Sequence, residues 1–161
     1  MEEGKLSKKD IKIVIAAHKP YRMPEDTMYV PLHVGAEGKK NPDGTPLDLG
    51  YQKDNEGDNI SAKNPYYCEL TGIYYAWKNI PAEYLGLVHY RRYFKGKNKS
   101  KDPFACIVTE QEMEKIFETH RIVVPKKRKY YIETLYSHYA HTHYACLLYT
   151  SPSPRDAHES R

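Results

Sequence analysis

A short apolar run near the start of the chain constrains the fold more than any other feature. Ile11–Ala17 (IKIVIAA) is mostly β-branched and lies between a charged leader and His18-Lys19-Pro20. A run of this length without polar alternation predicts a strand buried on both faces, as in a parallel sheet. Tyr84–Val88 and Ile122–Val124 predict further buried strands, and Met28–Val34 predicts a weaker one.

Helical patterns lie between these predicted strands. Asn64-Pro65 favours a helix start, because Asn can cap a helix and Pro suits the first helical position. We therefore expect a helix over Pro65–Lys78, ended by Asn79 and Pro81. Its apolar stripe is expected to face a core and consists of Leu70, Ile73, Tyr74 and Trp77.

A second helix is predicted after Thr109, which forms a capping-box pattern with Glu112. Strands alternating with helices imply crossover connections, so the sequence predicts an α/β fold with a mostly parallel central sheet flanked by helices.

The stretch from Gly35 to about Gly57 is rich in Gly, Pro, Asn and Asp, which predicts a surface loop. Its end, Asp54–Ser61, is dense in side chains that can bond ribose hydroxyls, and Asp58 and Asn59 are our preferred substrate contacts. The alternative is a loop of Asx turns that only launches the following helix.

The polar cluster His89-Tyr90-Arg91-Arg92 follows the strand predicted at Tyr84–Val88. Ligands of open α/β sheets lie beyond the carboxyl ends of strands. Guanidinium groups can bind phosphate oxygens bidentately, so Arg91 and Arg92 are candidate phosphate clamps, and His89 is a candidate neighbour of that site or proton carrier. These three are the candidate catalytic residues; the alternative is structural ion pairing.

Further candidates lie in the C-terminal part of the sequence. Lys126 and Lys127 come after Ile122–Val124, where they either add to a phosphate-binding field or only solubilise the surface. His138 and His141 suit contacts to a sugar or acceptor, and an imidazole there could serve as base. We expect no metal site, because neither the spacing of these histidines nor an accompanying Cys or carboxylate matches a familiar zinc site.

Composition narrows the class of protein. The 161 residues include 16 tyrosines, 3 phenylalanines and 1 tryptophan, which favours amphipathic aromatic surfaces suited to sugars and polar clefts. The formal net charge of +4 is local, and without a nucleic-acid motif we expect no nucleic acid partner. Three cysteines without a CxxC pair and no apolar run of about 20 residues favour the cytoplasm.

Four segments together resemble a family of uncharacterised domains found in capsular and exopolysaccharide glycosyltransferases. They are KIVIAAHKPYRMP, GDNISAKNPYYCELTGIYYAWKN, YLGLVHYRRYF and VPKKRKYYIETLYSHYAHTHY, and they span about Lys12–Tyr144. The resemblance implies a GT-A-like, Rossmann-type nucleotide-binding fold. It also implies sugar transfer from a nucleotide diphosphate sugar to an oligosaccharide or lipid-linked glycan, with peripheral association at the cytoplasmic membrane face.

In GT-A folds the loop after the first strand contacts the nucleotide, so the resemblance adds Ala17, His18 and Lys19 to the candidate substrate contacts. Many GT-A enzymes bind a divalent metal through an Asp-x-Asp motif. Asp54 and Asp58 do not form one, so the sequence does not support a metal cofactor.

The end of the chain departs from this pattern. Residues 147–161 (LLYTSPSPRDAHESR) resemble the peptide translated from sequencing-adapter DNA, and family members are longer. We therefore expect residues 1–10 to form a charged leader, 11–145 the N-terminal part of a glycosyltransferase-like domain, and 146–161 a non-native, disordered tail.

Two alternatives to an enzyme stay open. One is a noncatalytic module that binds carbohydrate or phosphate, and the other is an inactive fragment.

Overall fold

The computed structural model describes residues 9–126, together with Thr134 and Ser137. The chain divides into two units, residues 1–124 and 125–161, and the elements below all belong to the first. In the described part of the second unit, the backbone N–H of Ser137 donates to Thr134 Oγ1 at 3.1 Å.

Four strands form a sheet whose neighbouring pairs are all parallel. They are β1 (Ile11–Ala17), β2 (Tyr29–His33), β3 (Gln52–Lys53) and β4 (Tyr84–His89), in the order β3-β2-β1-β4. This confirms the α/β fold with a parallel sheet, the arrangement expected of a GT-A-like, Rossmann-type domain.

Alternate residues of β1 enter two cores, one on each face of the sheet. Ile13 and Ile15 pack with Val88 of β4 in the first core. Val14 and Ala16 pack with Leu32 of β2 in the second. Because side chains alternate between the faces of a strand, a strand that is apolar throughout requires cover on both sides.

Helices provide this cover. They are α1 (Asn64–Tyr67), α2 (Leu70–Asn79) and α3 (Glu110–Phe117). Met113 of α3 belongs to the first core, and Tyr75 and Ala76 of α2 belong to the second. Two short 3-10 helices, Ser61–Lys63 and Pro103–Cys106, precede α1 and α3 respectively.

The single helix predicted over Pro65–Lys78 is wrong, because the chain breaks between α1 and α2 at Cys68. Cys68 has φ 48°, a left-handed value that is rare for residues other than glycine. Asn64 is the first residue of α1 rather than its cap, and its Nδ2 donates to the Cys68 carbonyl at 2.8 Å. The predicted end of the helix at Asn79 is confirmed.

The predicted buried stripe of this helix is also wrong. Leu70 is 55% exposed and Trp77 is 64% exposed, whereas Thr71, Tyr75 and Ala76 are buried. Trp77 instead lies beneath the Lys78 ammonium, whose nitrogen is 3.9 Å from a Trp77 ring centroid. The face that contains Gly72 packs against the sheet, because glycine allows the helix to approach closely. A Cβ on Gly72 would come within 2.8 Å of Val34 Cγ1.

The capping box is confirmed. Thr109 Oγ1 accepts the Glu112 N–H at 3.3 Å, and Glu112 Oε2 accepts the Thr109 N–H at 3.1 Å. These two bonds satisfy backbone donors that a helix start leaves unpaired.

The predicted strand at Ile122–Val124 is absent: these residues have no strand assignment, and Ile122 is 78% exposed. Three apolar residues do not gain enough burial to form a strand without a paired neighbour. Within the described residues, no helix is both long and apolar enough to span a bilayer.

Candidate functional site

The parallel sheet places three strand ends side by side at its carboxyl edge. Ala16 of β1 pairs with His89 of β4, and Ala17 of β1 pairs with His33 of β2. A cleft of about 480 Å³ opens at this edge. Its lining residues are Ala16, His18, His33, Val34, Lys39, Leu47, Asn64, Cys68, Glu69 and His89.

His89 occupies this cleft between two polar neighbours. Its Nδ1 accepts the backbone N–H of Arg91 at 3.4 Å, and its Nε2 lies 3.9 Å from Glu69 Oε1. Because a neutral imidazole has one donor and one acceptor nitrogen, these contacts assign the proton to Nε2. The tautomer therefore directs the N–H towards the carboxylate.

Burial lowers the pKa of His89 below its ordinary value. The Glu69 carboxylate opposes this shift in pKa, whereas the charges of Arg91, His18 and Arg92 add to it. The imidazole is consequently neutral at pH 7, where it can still accept a proton.

Four predicted residues surround one buried ring. Tyr90 is 1% exposed, and its ring centroid lies 5.2 Å from that of His18 and 4.3 Å from that of His89. Lys19 Nζ and Arg91 Cζ lie 5.6 Å and 5.2 Å from the same centroid. The Tyr90 ring thus holds two cations beside two imidazoles by cation–π attraction.

The other predicted residues of these strand ends lie nearby. Ala17 is buried in the core. Arg92 is exposed, and its backbone N–H donates to the His89 carbonyl at 2.8 Å, forming a tight turn directly after β4. Like Lys19 and Arg91, neither residue is among those that line the cleft.

Asp58 and Asn59 lie elsewhere, on the loop before the first 3-10 helix. Asp58 Oδ1 accepts the Tyr74 hydroxyl at 3.1 Å, and its Oδ2 is 3.9 Å from Lys78 Nζ. Asn59 Oδ1 accepts the Ser61 N–H at 3.1 Å. The Asn59 contact is an Asx turn, the Asp58 contacts join this loop to α2, and neither residue lines the cleft.

The remaining candidates belong to the second unit. Lys126 is exposed, and the strand expected to position it is absent. Lys127, His138 and His141 lie outside the described residues.

The sequence did not identify His33 as a site residue. It ends β2, is 1% exposed and lines the cleft. Its Nδ1 is buried without a hydrogen-bond partner. The strand-exit rule that selected His89 does not select His33, because the strand predicted at Met28–Val34 runs one residue past the observed end of β2.

Glu69 also lines the cleft, and its position just before the predicted apolar stripe fits either a buried functional carboxylate or an ordinary helix-surface acid. Its side chain is 47% exposed and faces His89. The break at Cys68 separates Glu69 from α1, so the turn that spoils the helix prediction also presents this carboxylate. Strain of this kind is often found at functional sites.

A buried carboxylate, Asp54, supports the loops behind the cleft. Its oxygens accept the N–H groups of Gly35 and Ala36 at 2.8 and 3.0 Å. They also accept the hydroxyls of Ser61 and Thr71. Asp54 therefore fixes the end of β2 relative to α2, rather than offering oxygens to a ligand.

Within the described part of the chain, no group of three or more His, Cys, Asp or Glu side chains is arranged to hold a metal ion.

The family described as a domain of unknown function (DUF4422) matches residues 12–152. No curated protein matches the chain. Among solved structures, the apo structure of the WbbM bifunctional glycosyltransferase is similar over 58% of this chain, with 40% sequence identity and a TM-score of 0.49. The chain spans 16% of the length of that protein.

Proposed function

This chain belongs to the DUF4422 family, and for it we propose the activity of a glycosyltransferase that takes its sugar from a nucleotide diphosphate donor. The observation that carries the proposal is the cleft at the carboxyl edge of β1, β2 and β4, with ionisable side chains on its wall. Ligands of open α/β folds bind at this edge.

The charges at this edge suit a diphosphate leaving group. Lys19 and Arg91 both lie against the Tyr90 ring, next to the cleft residues His18 and His89. When the bond between the anomeric carbon and the phosphate oxygen breaks, negative charge develops on that oxygen. Fixed cations stabilise such charge without a metal ion, and Arg92 follows on the same turn.

The acceptor hydroxyl must lose a proton as its oxygen bonds to the anomeric carbon. His89 can receive it at Nδ1, the ring nitrogen without a proton, and the Glu69 carboxylate 3.9 Å from Nε2 stabilises the imidazolium that forms. A general base needs to be within hydrogen-bond reach of the proton and unprotonated at working pH. Burial meets the second condition by lowering the pKa of His89.

The proposal also includes the more specific features that the family resemblance implies. They are an oligosaccharide or lipid-linked acceptor, a pathway of bacterial capsule, exopolysaccharide or lipopolysaccharide synthesis, and action at the cytoplasmic membrane face. The WbbM protein is described as a glycosyltransferase, but the cleft rather than that similarity supports the activity proposed for this chain.

A donor-turnover assay tests the proposal. The purified protein is incubated with a panel of nucleotide sugars, with and without glycan acceptors, and release of nucleoside diphosphate is measured. Arg91→Ala should lower turnover about 10-fold or more, because it removes a charge-assisted contact to the leaving group. Arg121→Ala, an exposed arginine outside the cleft, is the matched control and should leave turnover unchanged.

Two outcomes would contradict the proposal. Donor binding without any release would indicate the noncatalytic binding module. A folded protein that neither binds nor turns over any nucleotide sugar would exclude this function altogether.

A further inference from the structure

We propose that His33 determines which nucleobase the cleft accepts, by forming a hydrogen bond with the edge of the base. This inference rests on the proposed donor function and adds a specificity-determining residue to it. The inner and outer parts of the cleft differ in burial and in chemistry.

The inner part, here called the cleft floor, consists of Ala16, His33 and Val34. These residues are 1%, 1% and 7% exposed, respectively. Half-buried Leu47 also lines the cleft. The floor is therefore apolar except for one imidazole, and the remaining lining residues, which are Asn64, Cys68 and His89, are half-buried.

The outer part, here called the cleft rim, consists of His18, Lys39 and Glu69, all of them exposed. Ionisable groups at this rim can stay hydrated or meet a charged ligand. The donor has one strongly charged part, its diphosphate, which suits Lys39 at the rim rather than the Glu69 carboxylate, so the floor must take an uncharged part.

The uncharged parts of the donor are the base and the sugars. A sugar carries hydroxyls around its whole ring, and burying them without partners is costly. A nucleobase has two apolar faces and a polar edge, which matches apolar walls with one polar atom. The chemistry of the cleft floor therefore favours the base.

His33 provides that polar atom. Its Nδ1 is buried without a hydrogen-bond partner, whereas buried polar atoms in folded proteins are nearly always paired. A base that reaches this imidazole supplies the missing bond, and a base with the wrong donor or acceptor pattern leaves it unpaired. Sites that bind a ligand through one buried polar group reject analogues in this way.

The charge state of His33 agrees with an uncharged ligand group. Burial is the main cause that lowers the pKa of this imidazole, and the Asp54 carboxylate opposes the shift. Lys53 and Lys39 lower the pKa of His33 further, while Asp48 acts against them. A neutral imidazole offers one donor and one acceptor.

Equilibrium binding of free nucleosides tests the inference, because nucleosides lack the diphosphate. Adenosine, guanosine, cytidine and uridine are titrated into the protein by calorimetry, with inorganic pyrophosphate as a separate probe of the rim. The wild type should prefer one nucleoside. His33→Phe should weaken binding of that nucleoside about 10-fold or more and remove the preference, leaving pyrophosphate binding unchanged.

Two further variants make the result specific. His33→Gln keeps a side chain that can donate and accept, so it should retain part of the preference and shows the effect even if His33→Phe folds poorly. His120→Phe replaces an exposed histidine outside the cleft and should behave as wild type.

The outcomes separate this inference from the proposed function. If both His33 variants keep the wild-type nucleoside preference, or the wild type has none, His33 is not the determinant even though donor binding stands. If the folded wild type binds neither nucleosides nor nucleotide diphosphates, the donor function fails and this inference fails with it.

Discussion

The Nε2 atom of His89 lies 3.9 Å from Glu69 Oε1, which joins the end of β4 to the residue that precedes α2. Glu69 is placed there by the break at Cys68, and His89 is placed there by its pairing with Ala16 in β1. The break between α1 and α2 and the regular strand β4 therefore bring one pair of ionisable side chains together.

The first prediction concerns the pH dependence of stability. Burial lowers the pKa of both His33 and His89 in the folded state. The unfolded chain therefore binds more protons below its own histidine pKa of about 6.5, so the free energy of unfolding should fall as pH drops through that value. Above it, both forms are neutral and the contribution is constant.

Urea unfolding between pH 5 and pH 8 measures this effect. His33→Gln should reduce the slope of stability against pH below about 6.5, because one depressed pKa is removed. His120→Gln, at an exposed histidine, is the control. An unchanged slope in His33→Gln would show that His33 does not titrate differently on folding.

The second prediction concerns Asp54. Asp54→Ala should destabilise the fold by about 3–5 kcal/mol, because it leaves the N–H groups of Gly35 and Ala36 and two hydroxyls without their acceptor. Asp48→Ala, at an exposed aspartate, should cost less than about 1 kcal/mol. Chemical denaturation compares the two, and equal costs would contradict a structural role for Asp54.

The third prediction concerns Trp77, the only tryptophan of the chain. At 64% exposure, its fluorescence should be quenched readily by iodide or acrylamide. Trp77→Ala should change the free energy of unfolding by about 0.5 kcal/mol or less, whereas Tyr75→Ala, at a buried position on the same helix, should cost about 3–5 kcal/mol. A blue-shifted emission that resists quenching would instead support the buried stripe expected from the sequence.

The strands show how far sequence patterns reach. Ile11–Ala17 was predicted with the bounds that β1 has, because a mostly apolar run without polar alternation has few stable placements except between two layers. The capping box at Thr109 was equally clear, since two side chains satisfy each other's backbone donors. Local chemistry decides such features.

The errors arose where distant contacts decide the outcome. The stripe through Leu70 and Trp77 is more apolar than the face through Thr71 and Gly72, yet the second face packs. Close approach to Val34 and the bond from Thr71 Oγ1 to Asp54 Oδ2 at 2.8 Å fix that orientation. Neither contact is visible in helical periodicity.

Sequence patterns also selected only some of the residues that line the cleft. The family resemblance selected His18 and the strand-exit rule selected His89, and both residues line the cleft. That rule was not applied to β2, so His33 was missed. Asp58 and Asn59 stay predicted ligand contacts, but their described partners lie within their own loop and α2.

The most direct test of the donor site is an amide NMR titration of the labelled protein with a nucleoside diphosphate. Donor binding at the carboxyl edge predicts the largest shifts at His18, Val34, Cys68 and His89, with small changes at Asp58 and Asn59. Shifts confined to the loop of Asp58 and Asn59, or no shifts at saturating ligand, would contradict this account.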